Sequence, residues 1–519
     1  MYLQISFKTQ LILPETLMTV SNISEPIISH SVSRTNHPAL IDARSGRCIT
    51  YGDLEEKIIK TVFLLNKFGI KRKSIVGLAL SDSIEHVVLQ LALARLGAIH
   101  LPIDWRWSNK EVELVGREFK PNIIITETEK NNRYIDNEHN VTKFFEKIPL
   151  SELDKFKLSF KPNFNPSHPF LISLSSGTTG TPDGPTLNHS HMISRFIAQA
   201  ITLKFSWHQR FLAATPLYFG GGRTFVLSLL FMGGTVIIDP PPWKPKNFIT
   251  TLEKYSPDLT FLVPTQIRDL LNLDKKSLDK FFVLSTLISS GSALHKHERQ
   301  KIVQKLCSGL IEYYASTEGG GITALFADEM GKAPDSVGKP IFRVEVDIVD
   351  ENKNSLPTGQ TGLIRYRGPA VASDNRIKGQ KRDALQDSGE WFYPGDLGEI
   401  DDEGFLYLRG RAKDMIIRGG VNIYPQEIER VISQIRGIQE VCVFGLPDNH
   451  FGEIVVAAII CDNEINEELV RAQCAEFLAP YKVPSQFISL DHLPKNSGGK
   501  IQKEKVKNLV IDRKGNETI

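Results

Sequence analysis

Ser175-Ser176-Gly177-Thr178-Thr179-Gly180-Thr181-Pro182-Asp183-Gly184 follows the apolar run Phe170–Leu174. A strand that runs into small hydroxyl residues and glycines leaves backbone N–H groups unshielded. The hydroxyls add further donors, so such a loop can wrap phosphate oxygens. It is not a Walker A loop, because no Gly-Lys-Ser/Thr follows at the required spacing. A generic Gly/Ser/Thr stretch is more often a flexible surface turn. This particular string is rarer: at ~7% usage per residue, Ser-Ser-Gly-Thr-Thr-Gly arises by chance in roughly one such chain in ten thousand.

Around this loop, short apolar strands alternate with helix-like stretches. Leu89–Leu96 is an unbroken run of helix formers ending at Gly97, a natural left-handed cap, and Ala98–Ile103 then reads as a strand. Further strands are expected at Ile123–Thr126, Thr235–Ile238, Leu259–Val263 and Leu284–Ile288. Helical spacers between most of them suit βαβ units, and an α/β fold with at least one largely parallel sheet follows. From about Val344 the pattern alternates apolar and polar. Val344–Val349 and Leu363–Arg367 therefore read as antiparallel strands around turns such as Pro357-Thr358-Gly359, the place of the small barrel-like subdomain that the family resemblance given below implies. Beyond Arg411 lie the strands Val441–Phe444 and Ile454–Cys461, and a helix over Glu467–Phe477 with Leu469, Val470, Cys474 and Phe477 on one face. The expected layout is a leader over residues 1–35, a large domain over 36–411 and a small α+β domain over 412–519.

Composition narrows the class. The 519 residues are 41% hydrophobic and 24% charged, ordinary for a globular protein large enough to bury a core without staples. Sixty-two Lys+Arg against 60 Asp+Glu leave a formal charge of +2, which argues against a nucleic-acid-coating protein. Five scattered cysteines without a Cys-x-x-Cys pair point to reduced thiols in a cytoplasmic setting, not to a zinc cluster or disulfide framework. No apolar run approaches the ~20 residues of a membrane helix. Met1–Val20 carries Lys8 and Glu15 and lacks a small-residue cleavage site, so no signal peptide is expected.

Downstream of the loop come Ser290-Gly291-Ser292-Ala293, Tyr314-Ala315-Ser316-Thr317-Glu318 and Trp391-Phe392-Tyr393-Pro394-Gly395-Asp396. Gly410-Arg411-Ala412-Lys413-Asp414 runs into Gly419-Gly420-Val421-Asn422-Ile423-Tyr424-Pro425, and Leu493-Pro494-Lys495-Asn496-Ser497-Gly498-Gly499-Lys500 closes the series. With the phosphate loop, this ordered series resembles the adenylate-forming superfamily of acyl- and aryl-CoA synthetases, peptide-synthetase adenylation domains and beetle luciferases. The resemblance spans about Ala39 to Val506.

It implies a role for each segment. Ser175, Ser176, Gly177, Thr178, Thr179 and Gly180 would cradle ATP phosphates, and Gly291, Ser292 and Ala293 would flank adenine, on which Tyr314 stacks. Asp396 would accept two ribose hydroxyls, since an ionised carboxylate offers only acceptors. Arg411 would also contact ribose, and Thr317 would donate to phosphate. Glu318 would hold Mg2+, an ion usually bound by a carboxylate together with phosphate oxygens. Lys500 would be the catalytic lysine of adenylation, bridging the nucleophile and the α-phosphate as charge develops. Lys413 lies beside the hinge, and Gly419 and Gly420 would line the CoA tunnel after the small domain swings. The acyl pocket is expected between the phosphate loop, Phe219–Arg223, Pro264–Arg268 and Ser290–Ala293, with Phe219, Gly220 and Gly221 as its apolar or small lining. The implied reaction joins a fatty or aromatic acid to CoA through acyl–AMP. A carrier protein loaded in trans is an alternative acceptor, and a catalytically impaired nucleotide-binding homologue is the reading from another class.

Four departures from the family pattern stand out. Asp183 replaces the usual lysine, Phe219 replaces a histidine, the Gly-Tyr expected near Val371–Asp374 is missing, and Arg418 replaces a small residue before Gly419. At Asp183 the charge facing the β- and γ-phosphates is reversed. Two unit charges ~4 Å apart at an effective dielectric of ~20 interact by about 4 kcal/mol, before solvent screening reduces it. The expected result is weakened ATP binding with activity retained. Asp183→Lys should lower the apparent KM for ATP in steady-state assays; an unchanged KM contradicts this account.

Overall fold

The helix Ile84–Leu96 shows how the sequence sets the architecture. Every residue from His86 to Arg95 is buried, as befits a helix apolar on nearly all sides. Ser83 caps its start by accepting from the His86 N–H, and Gly97 ends it at φ +77°. The helix lies between two sheets, touching Ile99–Pro102 of one and Pro38–Asp42 of the other. The computed structural model describes residues 20–127, 138–140, 156, 160, 162, 164–174, 184–372, 391–461, 466–495 and 500–517. Ser175, Ser176, Gly177, Thr178, Thr179, Gly180 and Asp183 lie outside the described residues.

The larger sheet has nine strands in the order Lys339–Pro340, Gly320–Phe326, Leu310–Ser316, Thr286–Ser289, Leu259–Leu262, Arg210–Ala213, Thr235–Ile238, Pro38–Asp42, Cys48–Thr50. Its interior pairs are parallel, and the pairs at both edges are antiparallel. The second sheet runs Glu138–Asn140, Ile123–Thr126, Ile75–Ala79, Ile99–Pro102, Pro169–Ile172, Thr186–Asn188, parallel except for its last pair. One apolar core joins them, with Leu40, Val76, Leu171, Phe196, Phe225 and Phe261 among its members. The α/β expectation holds. Thr235–Ile238 and Ile123–Thr126 form the expected strands, whereas the strand expected at Leu284 starts at Thr286 after the 3-10 turn Asp279–Val283.

A third sheet, Glu345–Val349, Gly362–Arg367, Asp396–Ile400 and Leu406–Arg411, is antiparallel throughout and occupies the place expected for the subdomain. The C-terminal unit is built on the long pair Ile438–Asp448 and Gly452–Cys461. Both faces of this pair are covered. Val443, Val455 and Ala457 pack beneath the helices Pro425–Ile432 and Glu467–Phe477, and Phe444, Val456 and Ala458 pack against Val506 and Val510. On Glu467–Phe477 only part of the expected face is buried. Val470 and Cys474 are enclosed, but Leu469 is 56% and Phe477 73% exposed. The helix meets its sheet along the narrow i, i+4 line, and the two larger side chains flank it.

The expected leader is also corrected. Residues 22–35 belong to the large domain: Ile23 and Ile27 are in its core, and the helix Glu25–Ser33 packs on Tyr51–Lys67. The tie is Arg95, 1% exposed, which pairs with Glu55 and donates to the Ser24 carbonyl at 3.0 Å and hydroxyl at 3.1 Å. Sequence periodicity shows no such partner for a short, Ser-rich segment. No helix among the described residues is long and apolar enough to cross a membrane.

The strand Leu310–Ser316 carries Tyr314 and leads directly to Thr317 and Glu318. Its anchor is Glu312, buried against Arg299, whose Nε donates at 2.6 Å and whose Nη2 donates to the Ser336 carbonyl at 3.1 Å. Both side chains are 6% exposed, so removal of one partner strands a buried charge. Arg299→Met should destabilise this unit by about 3–5 kcal/mol, seen as a lower urea midpoint. A shift under about 0.5 kcal/mol, typical of a surface site, would contradict the anchoring role.

Candidate active site

The parallel strands Leu259–Leu262, Thr286–Ser289 and Leu310–Ser316 end at one edge of the large sheet, the position where open α/β sheets bind ligands. Tyr314 sits near the end of the last strand. Its hydroxyl donates to Asp396 Oδ2, and Arg411 Nε reaches Asp396 Oδ1 at 2.8 Å. Asp396 and Arg411 are direct cross-strand partners, so sheet register brings them together. Gly395, at φ +79°, turns the chain into this strand, and Arg411 Nη1 donates to the Pro394 carbonyl at 2.6 Å.

Asp396 is 8% exposed. Burial raises its pKa above the usual aspartate value, while Arg411, the Tyr314 hydroxyl and Lys500 act in the opposite direction. Burial and the adjacent carboxylate push the Tyr314 phenol far up, which keeps it a donor. Lys500 comes from the C-terminal unit, yet its charge acts on Asp396. The Lys500 residue retains solvent contact, but the protein packed around its ammonium lowers its pKa. Arg411 and Lys413 lower it further; Asp396 and Asp414 oppose them. Four expected residues from distant sequence positions therefore converge: Tyr314, Asp396, Arg411 and Lys500, with Lys413 beside them.

Thr317 and Glu318 form the next turn, and sequence reading missed what holds it. Arg195, 6% exposed, donates from Nη2 to the carbonyls of Thr317 and Glu318 and from Nε to that of Ala370 at 3.3 Å. Burial lowers its pKa to about 10. Tyr366 hydrogen-bonds Ser316 Oγ, which also accepts from the Gly319 N–H at 2.9 Å. Gly321 is fixed by close packing, because a Cβ there would lie 1.8 Å from the Tyr313 hydroxyl. Arg195 left one signal in the sequence: it is the only charged residue between Met192 and Leu203.

Gly291, Ser292 and Ala293 follow Thr286–Ser289 and flank the Tyr314 strand, with Gly291 at φ +99°. Phe219 is half-buried at the N-cap of the helix Gly220–Met232. The three glycines are not one open lining. A Cβ at Gly220 would meet no atom within 4 Å, one at Gly221 would strike Phe261 at 2.7 Å, and one at Gly222 would strike the Thr215 and Pro216 carbonyls at 2.4 Å. Pro264–Arg268 is committed to structure. Gln266 donates to the Ala214 carbonyl at 2.9 Å, and Arg268 pairs with Glu298. Arg223, at the end of the expected Phe219–Arg223 stretch, is a cation only 1% exposed, turned into the protein against the Leu217 and Tyr218 carbonyls. Gly419 (φ +56°) and Gly420 (φ +80°) form the turn between Ile416–Arg418 and Val421–Ile423, where Arg418 lies over the Phe451 ring.

A single carboxylate at Glu318 suits Mg2+, which keeps waters and shares its ligands with substrate phosphates. Among the described residues, no group of three or more His, Cys, Asp or Glu side chains forms an all-protein cage.

The AMP-binding enzyme family matches residues 29–374, and the AMP-binding enzyme C-terminal domain matches 427–500. An uncharacterised acyl–CoA ligase of Bacillus subtilis is 27% identical over 88% of this chain and 92% of its own length. Indoleacetate–CoA ligase of Aromatoleum aromaticum is 29% identical over 89% and 94%. The crystal structure of ATP-bound MatB from Rhodopseudomonas palustris superposes with a TM-score of 0.85 at 25% identity, covering 95% of this chain and 99% of that one. The chain belongs to the AMP-binding enzyme family.

Proposed function

We propose that this protein is an AMP-forming acid–CoA ligase, and that the observation carrying this reading is the convergence of Tyr314, Arg411 and Lys500 on Asp396. A carboxylate resists acyl transfer because its leaving group would be an oxide. Attack by the acid on the α-phosphorus of ATP releases pyrophosphate and leaves a mixed acyl–AMP anhydride. The CoA thiol then displaces AMP to give the thioester. Neither step needs covalent help from the protein, so positioning and charge neutralisation dominate.

Asp396 orients the ribose, with Tyr314 and Arg411 fixing the carboxylate's two oxygens. Lys500 places an ammonium where negative charge develops, and Thr317 donates to a phosphate oxygen. Glu318 would hold Mg2+, which would supply charge neutralisation on the phosphates when bound with ATP. Ser175, Ser176, Gly177, Thr178, Thr179 and Gly180 wrap the phosphates, while Gly291, Ser292 and Ala293 border the adenine. For the second step the small domain turns about Lys413 and brings Gly419 and Gly420 to the site in place of Lys500. We place the reaction in the cytoplasm, which the free thiols of Cys48, Cys307, Cys442, Cys461 and Cys474 support.

Mass spectrometry of reactions with Mg·ATP, CoA and a panel of acids tests this reading. A new CoA thioester is expected. Lys500→Ala should slow adenylation by about 100- to 1000-fold, while thioester formation from supplied acyl–AMP persists. Equal loss of both steps would remove Lys500 from its assigned role.

The pH dependence follows from the same charges. Lys500 acts protonated, so adenylation is present below its folded-state pKa and falls as pH rises through it. That pKa is already lowered, and the Asp414 carboxylate counteracts the lowering. Asp414→Asn removes this opposition, so the alkaline limb of ATP–pyrophosphate exchange should move to lower pH. A limb that stays or moves up would contradict the sign.

A further inference from the structure

Residues 214–219 connect the strand Arg210–Ala213 of the nine-stranded sheet to the helix Gly220–Met232. Charged side chains hold the middle of this connection. Asp82 Oδ1 accepts the Leu217 N–H at 2.8 Å. Arg223 Nη1 donates to the Leu217 carbonyl at 3.2 Å and to the Tyr218 carbonyl at 3.0 Å. Arg106 lies over the Tyr218 ring, 5.4 Å from its centroid, and donates to the Tyr218 hydroxyl. Asp104 in turn accepts from Arg106 with both carboxylate oxygens, at 2.9 and 2.7 Å.

Asp82 and Arg223 are 6% and 1% exposed. Burial pushes the Asp82 carboxyl up to about 7 and the Arg223 guanidinium down to about 9. Charges buried in this way cost stability. One N–H and two carbonyls could be satisfied by neutral side chains. What the charges add is stronger, better directed hydrogen bonds, at a connection that would otherwise be among the more mobile parts of the fold.

This connection stands where the two sheets meet. Asp82 follows Ile75–Ala79 and Asp104 follows Ile99–Pro102, neighbouring parallel strands of the second sheet. The next strand along is Pro169–Ile172, which precedes the phosphate-loop sequence. The carboxyl ends of parallel strands are where α/β sheets place their ligands. Directly after the clamped residues comes Phe219, whose N–H donates to the Pro216 carbonyl at 3.1 Å and closes the turn. Its half-buried ring lies back over the helix that it caps. A Cβ at Gly221 would come within 3.2 Å of that ring and 2.7 Å of Phe261. A ring packed this closely follows its backbone.

We propose that Asp82 and Arg223 are positioning residues for the acid site: by holding the backbone of Leu217 and Tyr218, they fix the Phe219 ring over Gly221 and so set the wall that the acid meets. The inference rests on the ligase reading, in which Phe219 lines the acyl pocket, and adds the groups that hold this lining in place. Neither side chain touches the acid; both act through the backbone.

The test measures KM for the acid and for ATP separately, in ATP–pyrophosphate exchange by the full chain. Asp82→Ala should raise KM for the acid about 10-fold, an effect of the size seen between coupled neighbours, and leave KM for ATP unchanged. Asp82→Asn keeps an acceptor oxygen and should recover most of the lost affinity. Phe219→Ala should raise the same KM, and adding Asp82→Ala to it should do little more, because residues acting through one another are not additive. A rise in both KM values alike, full additivity, or equal losses in Asp82→Ala and Asp82→Asn would overturn the proposal. Fluorine NMR separates it from the ligase reading. With para-fluorophenylalanine at position 219, the otherwise unaltered chain should give one sharp resonance. Asp82→Ala and Arg223→Gln, whose shorter side chain cannot reach both carbonyls, should shift or broaden it, whether or not any acid is turned over. An unchanged resonance in either folded variant refutes the positioning role, whereas absence of exchange by the unaltered chain counts against the ligase reading alone.

Discussion

Asp396 is shared by three parts of the chain, and that sharing constrains the rest of the active site. Its own strand belongs to the antiparallel third sheet, Tyr314 ends a strand of the nine-stranded sheet, and Lys500 comes from the C-terminal unit. One buried carboxylate can satisfy all three only if the sheets are docked in one orientation. Arg411 enters through register, as the residue directly across the ladder from Asp396. A one-residue slip of that pair would turn the guanidinium to the other face. The third sheet therefore fixes where Asp396 and Arg411 stand relative to Tyr314.

Buried arginines are the second recurring device. Arg95 binds the N-terminal helix through Ser24 and Glu55, Arg299 anchors the Tyr314 strand through Glu312, and Arg195 shapes the Thr317–Glu318 turn. Arg95 and Arg299 have carboxylate partners, which compensates much of the desolvation. Arg195 is held by carbonyls, and Glu318 acts favourably on its charge. Arg223 has carbonyls alone and a cation for a neighbour. Within one molecule these four form a series of decreasing compensation.

What the sequence disclosed and withheld follows from range. Gly97 as a helix cap and the strands Ile123–Thr126 and Thr235–Ile238 rest on local patterns, and each matches the fold. Tyr314, Asp396, Arg411 and Lys500, which the fold brings together, were legible as part of an ordered series of motifs with restricted residue types. Arg195, Tyr366 and Arg95 were not, since each acts on backbone or side chains far away in sequence, and a lone arginine in an apolar helix has no local explanation. The glycine run showed the same limit. Three identical residues face open space, a phenyl ring and two carbonyls in turn, and only packing distinguishes them. Leu469 and Phe477 were misassigned because helical periodicity cannot say how wide a stripe the partner sheet will cover.

The contact between the large domain and the small C-terminal unit bears on how one site could serve the two proposed reactions. Arg430 meets Asp335 at 3.2 Å, with both side chains substantially exposed, and Ser433 faces His295 at 3.4 Å. Exposed pairs of this kind contribute little, about 0–1 kcal/mol. Lys500, by contrast, reaches across this boundary with an ammonium whose pKa is lowered by burial, Arg411 and Lys413 and raised by Asp396 and Asp414. A boundary held by exposed polar pairs is one that the swing proposed for the thioester step would cross at little cost.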